Sequence, residues 1–202
     1  FKISDNMNMK IEPYFQQLYD VPVIADSSYS VLNRRDFYVE NALVNRGKGR
    51  NIGVDITLER YLNKGLYYMM TASIFDSKYY GGDRKWRNTL YNRNFIVNVL
   101  GGKEWMVGRD RQNMFSVNFK ITLQGGDRYA PVDEVATLLD PDREVQYDET
   151  KAFSKQFSPM FITNFSVGYK INRKKVSHEF SIKSLNTTGC EEYYGHEYNF
   201  KT

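Results

Sequence analysis

Between Phe115 and Gln124 the chain alternates without a break. Phe115, Val117, Phe119, Ile121 and Leu123 fall on one side, and Ser116, Asn118, Lys120, Thr122 and Gln124 on the other. A period of two sends successive side chains to opposite faces of an extended strand, whereas on a helix it would scatter the apolar groups around the circumference. The pattern therefore specifies a strand with one apolar and one polar face. It recurs six times along the sequence. Val54, Ile56 and Leu58 oppose Asp55, Thr57 and Glu59, and Phe161, Thr163, Phe165, Val167, Tyr169 and Ile171 oppose Asn164, Ser166, Gly168 and Lys170. Fainter versions lie at Met7 to Phe15 (Met7, Met9 and Ile11 against Asn8, Lys10 and Glu12), Leu66 to Phe75, Phe95 to Val99 and Val176 to Ile182. The expectation is an all-β chain of seven strands with no amphipathic helix between them.

Composition narrows the class. Sixteen Tyr and 13 Phe suit strands, and a single cysteine, Cys190, rules out an intrachain disulfide framework. The net charge of +4 comes from scattered Lys and Arg, with no basic stripe interleaved with aromatics, so nucleic acid is not an expected partner. No apolar run approaches the ~20 residues of a spanning helix. A mean hydropathy of −0.60 does not exclude a membrane barrel, because a transmembrane strand needs only ~10 residues with every second one apolar. The opening residues, "FKISDNMNMK", read as the interior of a domain, so the chain is expected to be a segment of something larger.

The connections alternate between short and long. The short ones are "YLNKG" near 61–65, "MVGRDRQ" near 106–112 and "NRKK" at 172–175; the long ones cover about 16–50, 76–93 and 125–160. Each short connection has the composition of a tight hairpin, and each long one is polar, tyrosine-rich and punctuated by glycine. Antiparallel up-and-down strands with short turns at one end and long loops at the other are the pattern of an outer-membrane barrel. The tetrapeptide "GGDR" occurs twice, at 81–84 and 125–128, each time where a rising strand opens into a long loop. Its glycines are expected to supply positive φ angles for a sharp departure, and Asp83, Arg84, Asp127 and Arg128 to stay solvated at the rim.

Several stretches carry a resemblance to a known family. "NRGKGRNIGVDITLERYLNKGLYYMMTASIFDSKY" (45–79), "YNRNFIVNVLGGKEW" (91–105), "GGDRYAPVD" (125–133) and "FITNFSVGYKINRKKVSHEFSIKSLNTTG" (161–189) resemble, in that order, the late barrel hairpins of TonB-dependent outer-membrane receptors. The resemblance is nearest to the SusC-like branch, whose members carry a carboxypeptidase-regulatory-like domain, and it covers nearly all of residues 1–202. It implies a 22-stranded transmembrane β-barrel with short periplasmic turns and long extracellular loops, filled by an N-terminal plug domain. It also implies import of a nutrient such as a siderophore, glycan or peptide across the bacterial outer membrane, energised through TonB, with a surface lipoprotein as a further partner in some members. Plug and TonB box are absent here, and the chain stops at "YGHEYNFKT" without the family's terminal strand, so about seven strands of the barrel are expected. The apolar strand faces would meet outer-membrane lipid and the polar faces the plug or lumen, with Tyr61, Tyr67, Trp105 and Tyr169 in interfacial girdles. Ligand contact would fall to loop residues Tyr79, Tyr80, Arg84, Trp86, Arg87, Tyr91, Arg128, Tyr129, Phe153 and Phe157, by ring stacking and by pairing with carboxylates.

Residue chemistry gives no catalytic site, metal site or cofactor. His178 and His196 are the only imidazoles and lack metal-ligand spacing. Ser177 and His178 are adjacent on one strand and point to opposite faces, which disfavours a triad with Asn164, and "DPDRE" (140–144) lacks the spacing of a calcium loop. The alternative to a receptor is a soluble β-sheet module that uses its apolar face as a core and its long loops for a ligand.

Overall fold

The computed structural model describes residues 1–34, 39, 41–142 and 144–193. Its strands are β1 (Lys2–Ser4), β2 (Met7–Ile24), β3 (Leu43–Asn63), β4 (Leu66–Tyr80), β5 (Trp86–Asn88), β6 (Phe95–Val107), β7 (Asn113–Gln124), β8 (Arg128–Tyr129), β9 (Lys155–Gln156), β10 (Met160–Asn172) and β11 (Ser177–Ser184). All seven expected strands are present, most of them longer than their alternation, and every pairing is antiparallel. They form one sheet in the order β1-β2-β3-β4-β6-β7-β10-β11, with β5 beside the far end of β4; β8 and β9 make a small separate ribbon. One short helix, α1 (Glu134–Leu139), was not expected. Asp133 caps it by accepting from the Ala136 N–H at 3.0 Å, and six residues are too few to leave a periodic signature.

The short connections close as hairpins for identifiable reasons. Lys64 (φ 50°) and Gly65 (φ 74°) both take positive φ, the conformation that a two-residue turn needs to match the strand twist. Gly108 (φ 91°) and Arg111 (φ 50°) shape the turn between β6 and β7, and the Arg173 N–H reaches the Val176 carbonyl at 2.9 Å between β10 and β11.

Register carries the alternation across the whole sheet. Phe165 faces Phe119 and Val167 faces Val117; Ile121 faces Val99, Val99 faces Met70, Met70 faces Leu58, and Leu58 faces Met9. Phe180 and Ile182 extend the same face on β11 through Tyr169 and Val167. One continuous apolar face results, and Phe15, Ile74, Phe180 and Ile182 on it are among the most exposed large side chains. The opposite face is a polar hydrogen-bonded ladder. Ser73 donates to Asp55 at 2.5 Å, Ser77 and Asn51 link to Gln16, Tyr67 donates to Asn118, Asn118 to Ser166 and Thr122 to Asn98. Tyr67 and Tyr61 thus belong to the polar face, Tyr61 accepting from Asn8 at 3.3 Å, rather than to an outward girdle. Trp105 and Tyr169 do lie on the apolar face near the short turns, where Trp105 contacts Phe115 at 5.7 Å between centroids.

The described residues form an open sheet and not a closed barrel. The outer edge of β11 pairs with no strand, and β1 covers only the start of β2. The buried groups are not beneath the sheet but at its long-loop end: Val21, Val23, Tyr79, Leu90, Ala152 and Met160, with Ser28, Ser30, Thr89, Asn92, Asp127 and Thr137 among them.

Candidate functional site

The loop end is built where β2 and β3 run beyond their alternating segments. A bulge at Asp20 (φ 53°) shifts the register between Leu18 and Val21 and turns Val21 and Val23 inward. Gly47 leaves room for Val23, since a Cβ there would lie 2.5 Å from it, and Gly49 does the same for Leu32, which a Cβ would meet at 2.8 Å.

The two GGDR copies do occupy equivalent stations, but their glycines serve a different purpose from the one expected. None of the four adopts a positive φ. A Cβ on Gly82 would sit 1.9 Å from the Ile24 carbonyl, and one on Gly125 would sit 1.9 Å from the Arg93 carbonyl, so these positions let two backbones touch. Their aspartates are not free at the rim. Arg87 grips Asp83 through both terminal nitrogens, at 2.8 and 2.5 Å, and Arg93 Nε donates to Asp127 at 2.7 Å. The hydrogen bonds from Arg87 hold the Asp83 carboxyl below its usual range, and Asp83 in turn raises the guanidinium. Arg128 is half-buried and donates to the Asn92 carbonyl at 2.8 Å and to Asn94 at 2.7 Å; burial lowers its pKa. Only Arg84 (φ 62°) remains exposed as expected.

These links tie the three long loops into one cap. Arg87 also reaches the Thr150 carbonyl at 3.4 Å, Ser28 donates to the Glu149 carboxylate, the Leu90 N–H donates to Asn33 at 2.7 Å, and the Asp83 N–H to the Ser27 carbonyl at 3.0 Å. Asp148 caps the turn at Glu149–Lys151; the Thr150 hydroxyl and Lys151 hold its pKa at about 2. Tyr79 is fully buried with its ring edge against Phe153 at 6.0 Å, and among the described residues its hydroxyl has no hydrogen-bond partner. Tyr129 stacks on Phe157 at 4.3 Å, and Phe157 on Tyr193 at 6.0 Å.

Of the residues expected to meet ligand, Tyr79, Arg87, Arg128, Tyr129, Phe153 and Phe157 therefore build the cap. Trp86 and Tyr91 are about half exposed, Tyr91 donating to the Arg34 carbonyl at 3.3 Å. Tyr80 and Trp86 pack together at 5.5 Å on the opposite, outward side, with Lys48 over Tyr80 at 5.9 Å and Arg50 over Trp86 at 5.5 Å. Lys48, Arg50 and Lys78 were not singled out from the sequence. Their signal was parity: Lys48 and Arg50 continue the outward series of Ile52 and Val54.

Elsewhere the chemistry is sparse. His178 faces Ile171 on the apolar side, opposite to Ser177, Ser181 and Asn164. His196 and the stretch "YGHEYNFKT" lie outside the described residues. Asp140 of "DPDRE" accepts from Gln146 and from the Asp142 and Glu144 N–H groups, as a turn cap does. Among the described residues no group of three or more His, Cys, Asp or Glu gathers to hold a metal. A shallow groove of about 450 Å³ lies on the apolar face, lined by Leu58, Met70, Val99, Trp105, Val117 and Phe119.

The class defined by this architecture is an antiparallel, single-layer β-sheet with a packed loop cap. Comparison with family models, curated proteins and solved structures yields no match.

Proposed function

We propose that this chain is part of the wall of an outer-membrane barrel, the 22-stranded barrel of a TonB-dependent, SusC-like receptor that imports a nutrient, and that it is not an enzyme. The observation that carries the reading is the bare apolar face running unbroken across seven strands. Soluble monomers rarely leave more than a few hundred Å² of contiguous apolar surface in water. A soluble sheet module would need a second layer over that face, and the loops fold instead toward the polar side, where Val21, Val23 and Tyr79 are buried.

Dimensions agree with a bilayer. From Phe161 to Ile171 the apolar side chains of β10 span ten residue steps, about 33 Å of strand, or about 25 Å of height at a 40° tilt. That is the height of the lipid-facing band of such barrels. Two open edges also call for neighbours, because backbone groups in lipid must pair within the protein, and further strands of the same barrel supply them. The polar ladder then faces the lumen and the plug domain, which with TonB would complete the importer. A surface lipoprotein, where such a receptor has one, would sit over the cap.

Topology is the feature to test, through Cys190. The segment after β11 returns along β10 toward the long loops, Thr188 donating to the Phe161 carbonyl at 2.8 Å and Glu192 reaching Arg93 at 3.5 Å. Intact cells treated with a membrane-impermeant maleimide should label the protein, and Cys190→Ser should abolish the signal. Labelling only after lysis would reject the reading.

A further inference from the structure

One segment of the long-loop end turns its polar side in and its apolar side out. Residues 133–146 form a closed lobe on the third long loop. At its base Val132 bridges to Tyr147, the Asp133 N–H donates to the Gln146 carbonyl at 2.8 Å, and the Asp148 N–H donates to the Pro131 carbonyl at 2.8 Å. Within the lobe α1 is anchored through Thr137, which is buried and whose hydroxyl accepts from the Gln146 N–H at 2.9 Å. Gln146 Nε2 ties the far end by donating to Asp140 at 2.6 Å. Val135, Leu138 and Leu139, by contrast, are 68%, 70% and 77% exposed. Their i, i+3, i+4 spacing sets them together on one face of the helix, opposite to Thr137. The fold gains nothing from leucine there, because polar helix formers fill an exposed helical position equally well.

Charge selects the occupant of this face. Between 133 and 149 the sequence carries seven Asp or Glu against one Arg, in a chain whose net charge is +4. Asp133, Asp140 and Asp148 cap the helix or turns, and Glu149 accepts from Ser28. Glu134, Asp142 and Glu144 are exposed, and among the described residues none of the three forms an ion pair. An anionic bilayer surface and a second copy of this chain would both set like charge against these carboxylates. A ligand with basic side chains beside an apolar stripe matches both features. Three aliphatic side chains offer far less than the ~800 Å² per partner of a standard protein interface, which suits a short peptide rather than a folded domain.

We propose that α1 is a docking site for a short cationic peptide with one apolar side. The apolar side of the peptide covers Val135, Leu138 and Leu139, and its lysines or arginines lie against Glu134, Asp142 and Glu144. The lobe is closed before the peptide arrives, so binding has to order the peptide alone. The inference rests on the barrel reading in one respect, that the long loops face outward, and within that reading it narrows the nutrient to basic peptides.

The test uses the complete barrel that contains this chain, held in phosphatidylcholine nanodiscs, with empty discs as the blank. The probe is a fluorescein-labelled peptide of about 14 residues with leucine on one helical face and lysine on the other, long enough to form a helix where it binds. Its anisotropy should rise saturably with the barrel. Leu138→Ser with Leu139→Ser should weaken the apparent affinity about tenfold or more. Glu134→Gln with Asp142→Asn and Glu144→Gln should weaken it about threefold and remove most of its salt dependence. All five positions are exposed, and the heat-dependent gel shift of a folded barrel checks each variant. Equal affinity of the double leucine variant and the parent overturns the site, as does equal binding of a peptide with glutamate in place of lysine. Binding undiminished when serine replaces the leucines of the peptide also overturns it, because charge alone would then hold the peptide. Self-association of the barrel that the double leucine variant abolishes would assign the face to a second copy instead. No binding by a barrel that shows the gel shift rejects this site alone, whereas a protein that never shows the shift rejects the barrel reading and this inference together.

Discussion

The body of the sheet and its loop end are built on opposite principles. In the body, large apolar side chains such as Phe119, Phe165 and Ile74 stand in the open on one face, and polar groups on the other face satisfy one another. At the loop end small and polar groups are buried instead: Ser28, Ser30, Thr89 and Asn92 lie beneath the loops, held by charged pairs and close backbone contacts. The cap carries its own core and is stabilised from within. The body has none, and its apolar face gains free energy only from whatever surrounds it, at about 25 cal/mol for each Å² removed from water. That contrast makes the two regions respond differently to the same kind of substitution.

The largest effect is expected where the body meets lipid. Phe119→Arg, near the middle of the apolar band, should lower the stability of the inserted state by about 2–4 kcal/mol. Thr57→Arg, on the polar face, should change it by less than about 1 kcal/mol. Folded fractions of the complete barrel that contains this chain, after refolding into vesicles and read from the mobility difference between heated and unheated samples in gels, compare the two directly. Equal losses would mean that the two faces see the same medium.

At the loop end the next effect comes from backbone contact. Gly82→Ala or Gly125→Ala would drive a Cβ into a carbonyl oxygen at 1.9 Å, and the loops must separate to admit it. A cost of about 3 kcal/mol is expected, confined to the cap. Protease cleavage within residues 125–159 should accelerate while the strands stay protected.

Those same glycines mark the limit of what could be read from the sequence. The strands were legible because period-two alternation depends only on the neighbouring residues of one strand, and the hairpins because Lys64–Gly65 and its counterparts carry local turn chemistry. The cap was not, because its contacts join residues far apart in the chain: Gly82 with Ile24, Asp127 with Arg93, Ser28 with Glu149. Tyrosines in a polar loop look exposed, yet Tyr79 falls on the inward parity of β4 together with Ser73 and Ser77, and extending the alternation four residues further would have placed it inside. The same extension on β3 would have found Lys48 and Arg50, which sat within a stretch assigned to loop.

A smaller effect comes from the charged latch. The pKa of Asp83 is lowered by Arg87, so its contribution is complete above the ordinary carboxylate value and is lost as the pH falls through the lowered one. Asp83→Asn should destabilise the cap at neutral pH by about 1.5 kcal/mol. Trp86 fluorescence, three residues along the same loop, should change only as the pH falls below about 4 in the parent and lose that part of its change in the variant.

The smallest effect has the opposite sign. Tyr79 carries its hydroxyl into the cap with no hydrogen-bond partner among the described residues, and burial raises the pKa of that hydroxyl. A buried polar group left unpaired costs more than its absence, so Tyr79→Phe should leave the cap as stable as before or raise its stability by up to about 1 kcal/mol, with the edge contact to Phe153 kept. Hydrogen exchange at the amides of β5 and residues 89–94 measures it. Faster exchange in the variant would mean that the hydroxyl has a partner in the assembled protein, and would turn attention to what the complete barrel brings to this inner side of the cap.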